Sequence, residues 1–263
     1  MSAINPEVTL WIDQMDDKDQ VVACFAYQSL LEQVMRAGTP GQDELQGKLA
    51  AALGEALTAP AAPNAPAARP SGNPFLAAVA SQTPSYRHTP RVRVNLARLL
   101  GYIPHDAAVP YLAKALEDLD ARDMARCSLE RHPSEDALGA LVGGLDAVGT
   151  TFRVGVAYSL AKRQGPRAAA ALRKAAEDPQ PEVRLAALEA LADIPDPGHD
   201  AVIEKAIRTE VGPERARAHI ARARLAEALR AAGNRDAALR VYRAIQASDA
   251  PEPQKKAARL AAG

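Results

Sequence analysis

The sequence predicts an all-α protein: a right-handed α-solenoid, or superhelix, of stacked antiparallel helix pairs running through residues 1–263. Three observations predict it. The chain is 48% hydrophobic but only 4% aromatic, so its apolar content is mostly Ala and Leu, which suit closely packed helices. Val, Ile, Tyr and Phe nowhere gather in alternating runs, which excludes a β-sandwich or barrel. One apolar pattern also recurs at a spacing of about thirty residues, the mark of a repeat array.

The repeat shows in the segments 91–100, 120–129, 151–160 and 182–191. Aligned, they place Arg93, Arg122, Arg153 and Arg184 at steps of 29, 31 and 31 residues, and Leu100, Leu129, Leu160 and Leu191 keep the same steps. A second helical pattern lies between them in the same register, through Leu112, Leu141, Leu172 and Ile203, then Leu116, Leu145, Ala176 and Ile207. Each unit is therefore expected to be two helices joined by short turns. Asp118, Asp120 and Asp178-Pro179 mark some of those turns. A lone helix pair cannot bury its apolar face, whereas stacked neighbours build one continuous core from local contacts. Small residues at Ala97, Ala125, Gly155, Ala186 and Ala187 let the backbones approach. The repeated arginines stand at the start of each second helix, where they are expected to bind turn carboxylates or carbonyls of the adjacent repeat.

In chain order, residues 1–59 read as divergent N-terminal repeats. Val22, Ala26, Ser29 and Leu30 take the places of Val183, Ala187, Ala190 and Leu191, while Ala23 replaces the repeated arginine. Leu45, Leu49, Leu53 and Leu57 mark a first helix over 42–59, whose partner begins only near residue 90. Residues 60–89 form a Pro/Ala-rich insertion without usable periodicity. It contains a short expected helix from Asn73-Pro74; the insertion is read as one tolerated on the surface, the alternative being that Phe75, Leu76 and Val79 dock on the solenoid and narrow its concave face. Residues 90–210 carry the regular repeats, and 211–263 hold the last helices.

The stretch Asp178 to Leu191, with Pro181-Glu182-Val183-Arg184 at its centre, resembles the short HEAT repeat of bacterial proteins, a type also found in bilin lyases. The likeness is strongest over 178–194, good over 91–103 and 151–163, and degenerate over 120–131. It implies a HEAT/armadillo-like solenoid. Residues 221–245 resemble a tetratricopeptide helix pair through the Gly233-Asn234 turn, Ala238-Leu239 and Tyr242. The alternative for 211–263 is a last HEAT pair closed by a capping helix over 253–262.

The residues form no recognisable catalytic constellation. The five histidines show neither His-x-x-x-His nor His-Glu-x-x-His spacing. The iron-dependent HEAT enzymes that hydroxylate a modified lysine require paired His-Glu dipeptides, and this sequence has none. His105 and His132 are read as helix-end residues. Gly143-Gly144 lacks the Lys-Ser/Thr of a phosphate loop, and no nucleophile elbow occurs. Cys24 and Cys127 support neither a disulfide framework nor a thiolate zinc site. Cys127 lies near Arg126 and Arg131 but has no evident base. No catalytic residue, metal or cofactor is expected, and the chain is read as a non-enzyme. No membrane span and no secretory signal are visible, so cytoplasmic residence is expected.

Function is expected on the second helices, read as the inner wall of the solenoid. Their outward positions form two rows: Arg98, Cys127, Tyr158 and Glu189, then Tyr102, Arg131, Lys162 and Asp193. Mixed charge with two tyrosines points to a protein or peptide groove rather than a phosphate track. The partner-binding candidates are Arg98, Tyr102, Arg131, Tyr158, Lys162 and Glu189. The leading expectation is a non-catalytic scaffold that holds another protein. The second is nucleic-acid binding, or a HEAT-like DNA glycosylase, using Arg215, Arg217, Arg222, Arg224, Arg230, Arg235, Arg240 and Arg243. Interspersed acids and missing aromatic platforms count against it. The third is a bilin-lyase-like chaperone. Residues 1–60 hold nine acidic and three basic groups and residues 205–263 six and thirteen, so weak head-to-tail self-association is expected as well.

Overall fold

A computed structural model of the chain describes residues 4–62 and 85–262. Among these the chain is helical throughout, apart from one isolated antiparallel bridge between Pro60 and Tyr86. Contacts divide the chain into two compact units, residues 1–141 and 142–263. Both are stacks of the α-solenoid class.

The first unit holds α1 (Val8–Gln14), α2 (Gln20–Ala37), α3 (Asp43–Thr58), α4 (Pro90–Leu100), α5 (Val109–Ala115) and α6 (Arg122–Arg131), with α7 (Glu135–Gly143) reaching its boundary. Local chemistry sets the helix starts. The Asp19 carboxylate caps α2 by accepting from the Val21 amide at 2.8 Å. Pro90 opens α4, where its missing N–H costs nothing. Before α5, a 3-10 turn over Asp106–Ala108 is capped by His105 Nδ1, which accepts from the Ala107 amide. Helix α3 packs on α4 and α5, and α4 runs beside α6. Leu49, Leu53, Leu57, Leu96, Leu100 and Leu112 are fully buried between them, each worth about 1.5–3 kcal/mol relative to exposure.

The insertion leaves the fold and returns to it at one place. The Ala61 amide donates to the Ser85 carbonyl and the Arg87 amide to the Ala59 carbonyl, both at 2.9 Å. Residues 87–91 then tie onto the end of α1. Arg87 pairs with Asp13 at 2.8 Å, buried His88 meets Asp16 at 2.8 Å, and Arg91 donates to the Met15 carbonyl at 2.7 Å. Residues 85–89 thus belong to the folded unit. The short helix expected from Asn73-Pro74, with Phe75, Leu76 and Val79, lies outside the described residues.

The second unit begins with a 3-10 turn (Gly144–Asp146). It continues through α8 (Thr150–Arg163), α9 (Gly165–Ala175), α10 (Pro181–Ala192), α11 (His199–Thr209), α12 (Gly212–Ala231), α13 (Arg235–Ala247) and α14 (Glu252–Ala262). The second helices α8, α10 and α12 lie side by side, α9 covers α10, α11 covers α12, and α12, α13 and α14 pack in succession. Leu185, Leu188, Ile203, Leu225, Leu229 and Ile245 form one buried cluster through these layers. Buried Arg222 of α12 grips Asp200, in the first turn of α11, through two bonds of 2.7 and 2.8 Å.

Candidate functional site

The repeated arginines hold one layer to the next. In the first unit Arg93 is buried and donates Nε to Asp118 at 2.6 Å, Nη2 to Asp118 and Asp120 at 3.1 and 2.8 Å, and Nη1 to the His88 carbonyl at 2.7 Å. The Tyr86 ring lies 4.4 Å from its guanidinium. In the second unit Arg153 donates to Asp178, while Arg184 reaches Glu210 at 2.8 and 3.3 Å and the Asp178 carbonyl at 3.0 Å. The carboxylates lie 25 to 27 residues beyond their arginines. Asp118 and Asp178 serve twice, because each also accepts from the amide two residues on and so shapes its turn. Arg122 opens α6, half-buried. The Arg184 hydrogen bond holds Glu210 below the usual carboxylate range, while neighbouring Glu214 is pushed up by its bond to Glu210.

The six partner-binding candidates fall into two sets, one in each unit. In the first unit, half-buried Arg98 donates to Asn95 on its own helix at 3.2 Å. Exposed Tyr102 follows the end of α4, and the Arg131 guanidinium stands 5.9 Å over its ring, within reach of a cation–π attraction. Gly101 makes that approach possible, since a β-carbon there would overlap Ser128 and crowd Arg131. In the second unit the Tyr158 hydroxyl donates to Glu189 Oε2 at 2.7 Å. Burial and the adjacent carboxylate both push the Tyr158 phenol up. Lys162 is exposed one turn further along α8.

The structure adds residues that sequence reasoning had assigned elsewhere. Arg217 of α12 donates to Glu189 Oε1 through Nε at 3.0 Å and Nη2 at 2.6 Å. Arg224 donates to Asp193 at 2.5 and 2.6 Å. Exposed Ile220 stands between them in sequence on the same helix. These places were legible in principle. Ile220 lies 31 residues beyond Glu189 and Arg224 lies 31 beyond Asp193, so one further step of the ladder finds both. The resulting face runs from Tyr158 through Glu189 to Arg217 and Ile220, an aromatic ring and an aliphatic side chain set among carboxylates already bonded.

Next to it a cleft of about 530 Å³ opens between α12, α13 and α14, walled by Ile220, Ala223, Ala228, Ile245 and Ala258. Buried Tyr242 donates to Glu227 at 2.5 Å, and Arg230 holds the other oxygen of that carboxylate at 2.8 Å. Burial and this carboxylate push the Tyr242 phenol up to about 12, and the two donors hold Glu227 below the usual range.

Most of the C-terminal arginines are engaged within the chain. Arg215 pairs with Asp249, Arg217 with Glu189, Arg222 with Asp200, Arg224 with Asp193 and Arg230 with Glu227. Five of the eight arginines in the expected nucleic-acid cluster are therefore already neutralised within the chain, whereas phosphate binding draws on cations free to displace counterions. His105 caps its 3-10 turn, and His132, at the end of α6, meets Ser134 at 3.1 Å. Both are helix-end residues, as read from the sequence. Half-buried Cys127 is a free thiol.

Two repeat-family models match the chain. Residues 150–223 match the family model described as HEAT repeats, and residues 92–118 match the PBS lyase HEAT-like repeat. No curated protein matches the chain. Among solved structures, the complex of CpcE and CpcF of phycocyanin lyase from Nostoc sp. PCC7120 is similar at 20% identity and a TM-score of 0.43, over 100% of this chain and 95% of that one. Human deoxyhypusine hydroxylase is similar at 17% identity and a TM-score of 0.36, over 97% and 94%. An engineered protein is similar at 20% and 0.37, over 98% and 82%. The chain carries HEAT-like repeats.

Proposed function

We propose that this HEAT-like repeat chain is a non-catalytic scaffold that holds a protein or peptide partner on the exposed face of its second helices. The observation that carries the reading is the state of Tyr158. Its hydroxyl is anchored on Glu189, whose other oxygen is taken by Arg217, so the ring is held in place while still exposed. An aromatic side chain ordered before binding loses little entropy when a partner covers it, and such residues dominate interface energies. Ile220 supplies a second apolar contact in the same row, and Lys162, Asp193 and Arg224 supply a polar border. In the first unit Tyr102 under Arg131 is a matching anchor, with Arg98 beside it on α4.

The test is affinity capture from native lysate with the wild-type chain, Tyr158→Ala, Arg131→Glu and the double variant. Both side chains are exposed, so helicity should be unchanged by circular dichroism. Specific partners retained by the wild type are expected to be depleted about tenfold or more on the double variant. Equal recovery on all four baits would remove the reading. A second reading, a bilin-lyase-like chaperone, draws on the match of residues 92–118 to the PBS lyase HEAT-like repeat. A coloured adduct or shifted visible spectrum on mixing with a bilin would support it, and an unchanged spectrum would dispose of it.

A further inference from the structure

Helices α4 and α6 of the first unit bring two arginines together without a carboxylate. Ser128 of α6 donates its hydroxyl to the Ala97 carbonyl of α4 at 2.8 Å, and Gly101 leaves room for the helices to meet. A β-carbon at Gly101 would stand 2.8 Å from Arg131 Nη2, so the Arg131 guanidinium lies against the end of α4 as well as over the Tyr102 ring. Arg98 precedes Gly101 by three residues and Tyr102 by four, the spacing of neighbours on one helix face. The contact therefore sets the Arg131 guanidinium within about one helical turn of Arg98.

Neither arginine has a counter-ion in the chain. Half-buried Arg98 donates to Asn95 and exposed Arg131 meets the Tyr102 ring. Among the described residues, no carboxylate lies within ion-pair distance of either. The acids nearest in sequence on α6, Asp123 and Glu130, pair with Arg126 at 3.5 and 3.8 Å. Glu32, which holds the Tyr102 register in α2, pairs with Arg36 at 2.5 Å. The second unit shows what is missing. There the same two rows hold Glu189 and Asp193, which accept from Arg217 and Arg224. In the first unit those rows hold Cys127 and Arg131 instead, so they carry cations and no acid. A half-buried guanidinium is partly stripped of water, and a second cation one turn away repels it. A carboxylate from outside the chain relieves both costs.

We infer that Arg98, Tyr102 and Arg131 recognise an acidic segment of the peptide or protein partner, with one Asp or Glu carboxylate bound between the two guanidiniums and an adjoining apolar or aromatic side chain laid on the Tyr102 ring. The inference rests on the reading of the second helices as a partner surface and specifies the partner's chemistry there. A guanidinium fork matches a carboxylate through parallel N–H···O bonds, the geometry Arg222 already makes with Asp200. The chain's own arginines point to carboxylate rather than phosphate, since Asp118, Asp178, Glu189, Asp193, Asp200 and Glu210 each hold one. The contact is partly solvated and weakens as salt is added.

A bead-displayed library of random peptides tests it, panned at low salt on the full chain and on Arg98→Gln and Arg131→Gln, both checked for unchanged helicity. The wild type is expected to enrich peptides with Asp or Glu beside an apolar or aromatic residue. Resynthesised, these peptides should bind either variant at least about tenfold more weakly. A copy with the acid replaced by its amide should bind the wild type and both variants alike, because the arginines then have no charge to meet. Enriched peptides without an acid, or acidic peptides that both variants hold as well as the wild type does, would overturn the inference and leave the partner-surface reading standing. No enrichment over bare beads would overturn both. Random single-stranded oligonucleotides retained by the wild type and released by both variants, with no acidic peptide enriched, would overturn it in favour of phosphate.

Discussion

Arg93 and Arg184 occupy one repeat position but differ in burial, and the difference sets what each contributes. The Arg93 side chain is 6% exposed and faces an equally buried Asp118; that of Arg184 is 23% exposed. Removing one member of a buried pair strands the other charge away from water, at a cost of about 3–5 kcal/mol. A more solvated pair contributes about 1 kcal/mol or less. Arg93→Ala is therefore expected to destabilise strongly and Arg184→Ala weakly in urea unfolding, and equal losses would refute the burial argument. His219 makes a pH-dependent contribution. Its ring is buried, and burial holds the imidazole below the usual histidine range; Asp249 opposes this, and Arg215, Arg222 and Lys255 add to it. The unfolded chain then takes up the proton first, below about pH 6.5. The contribution is present above that pH and is lost as pH falls through the folded value. His219→Asn should flatten the fall in thermal midpoint between about pH 7 and about pH 5, and an unchanged slope would assign it to other groups.

At the scale of elements, helix positions were legible because apolar periodicity and turn chemistry agree. The first helix expected over 42–59 is α3 at Asp43–Thr58, and the one expected over 253–262 is α14 at Glu252–Ala262. Prolines in the first turn of α4, α9, α10 and α12 mark four starts directly. What periodicity does not reveal is where two helices nearly touch. Gly54 of α3 meets Tyr111 of α5 so closely that a β-carbon would overlap the ring. Nothing in the sequence around Gly54 names Tyr111, since the two lie in separate helices with the insertion between them. Gly54→Ala gains helix propensity but overpacks this contact, with an expected net loss of about 1–3 kcal/mol by thermal or urea unfolding. A neutral or stabilised variant would show that Tyr111 yields at no cost.

At the scale of the whole molecule, the class and the repeat register were decided by the sequence. A chain of short helices can bury its Leu and Ala only by stacking, and the thirty-residue ladder states which positions must be buried. Alignment alone was enough to place Ala26 with Ala187 and Leu30 with Leu191. The tertiary structure decided which charges are spent and which side chains are left in water. Arg217 and Arg224 counted as free cations until α12 was laid beside α10, where Glu189 and Asp193 take them up. The physical reason is that burial of an apolar face is a property of one helix and its period, whereas ion pairing and exposure depend on what lies across from that helix. A linear sequence carries that second quantity as a spacing, and only packing turns the spacing into a bond.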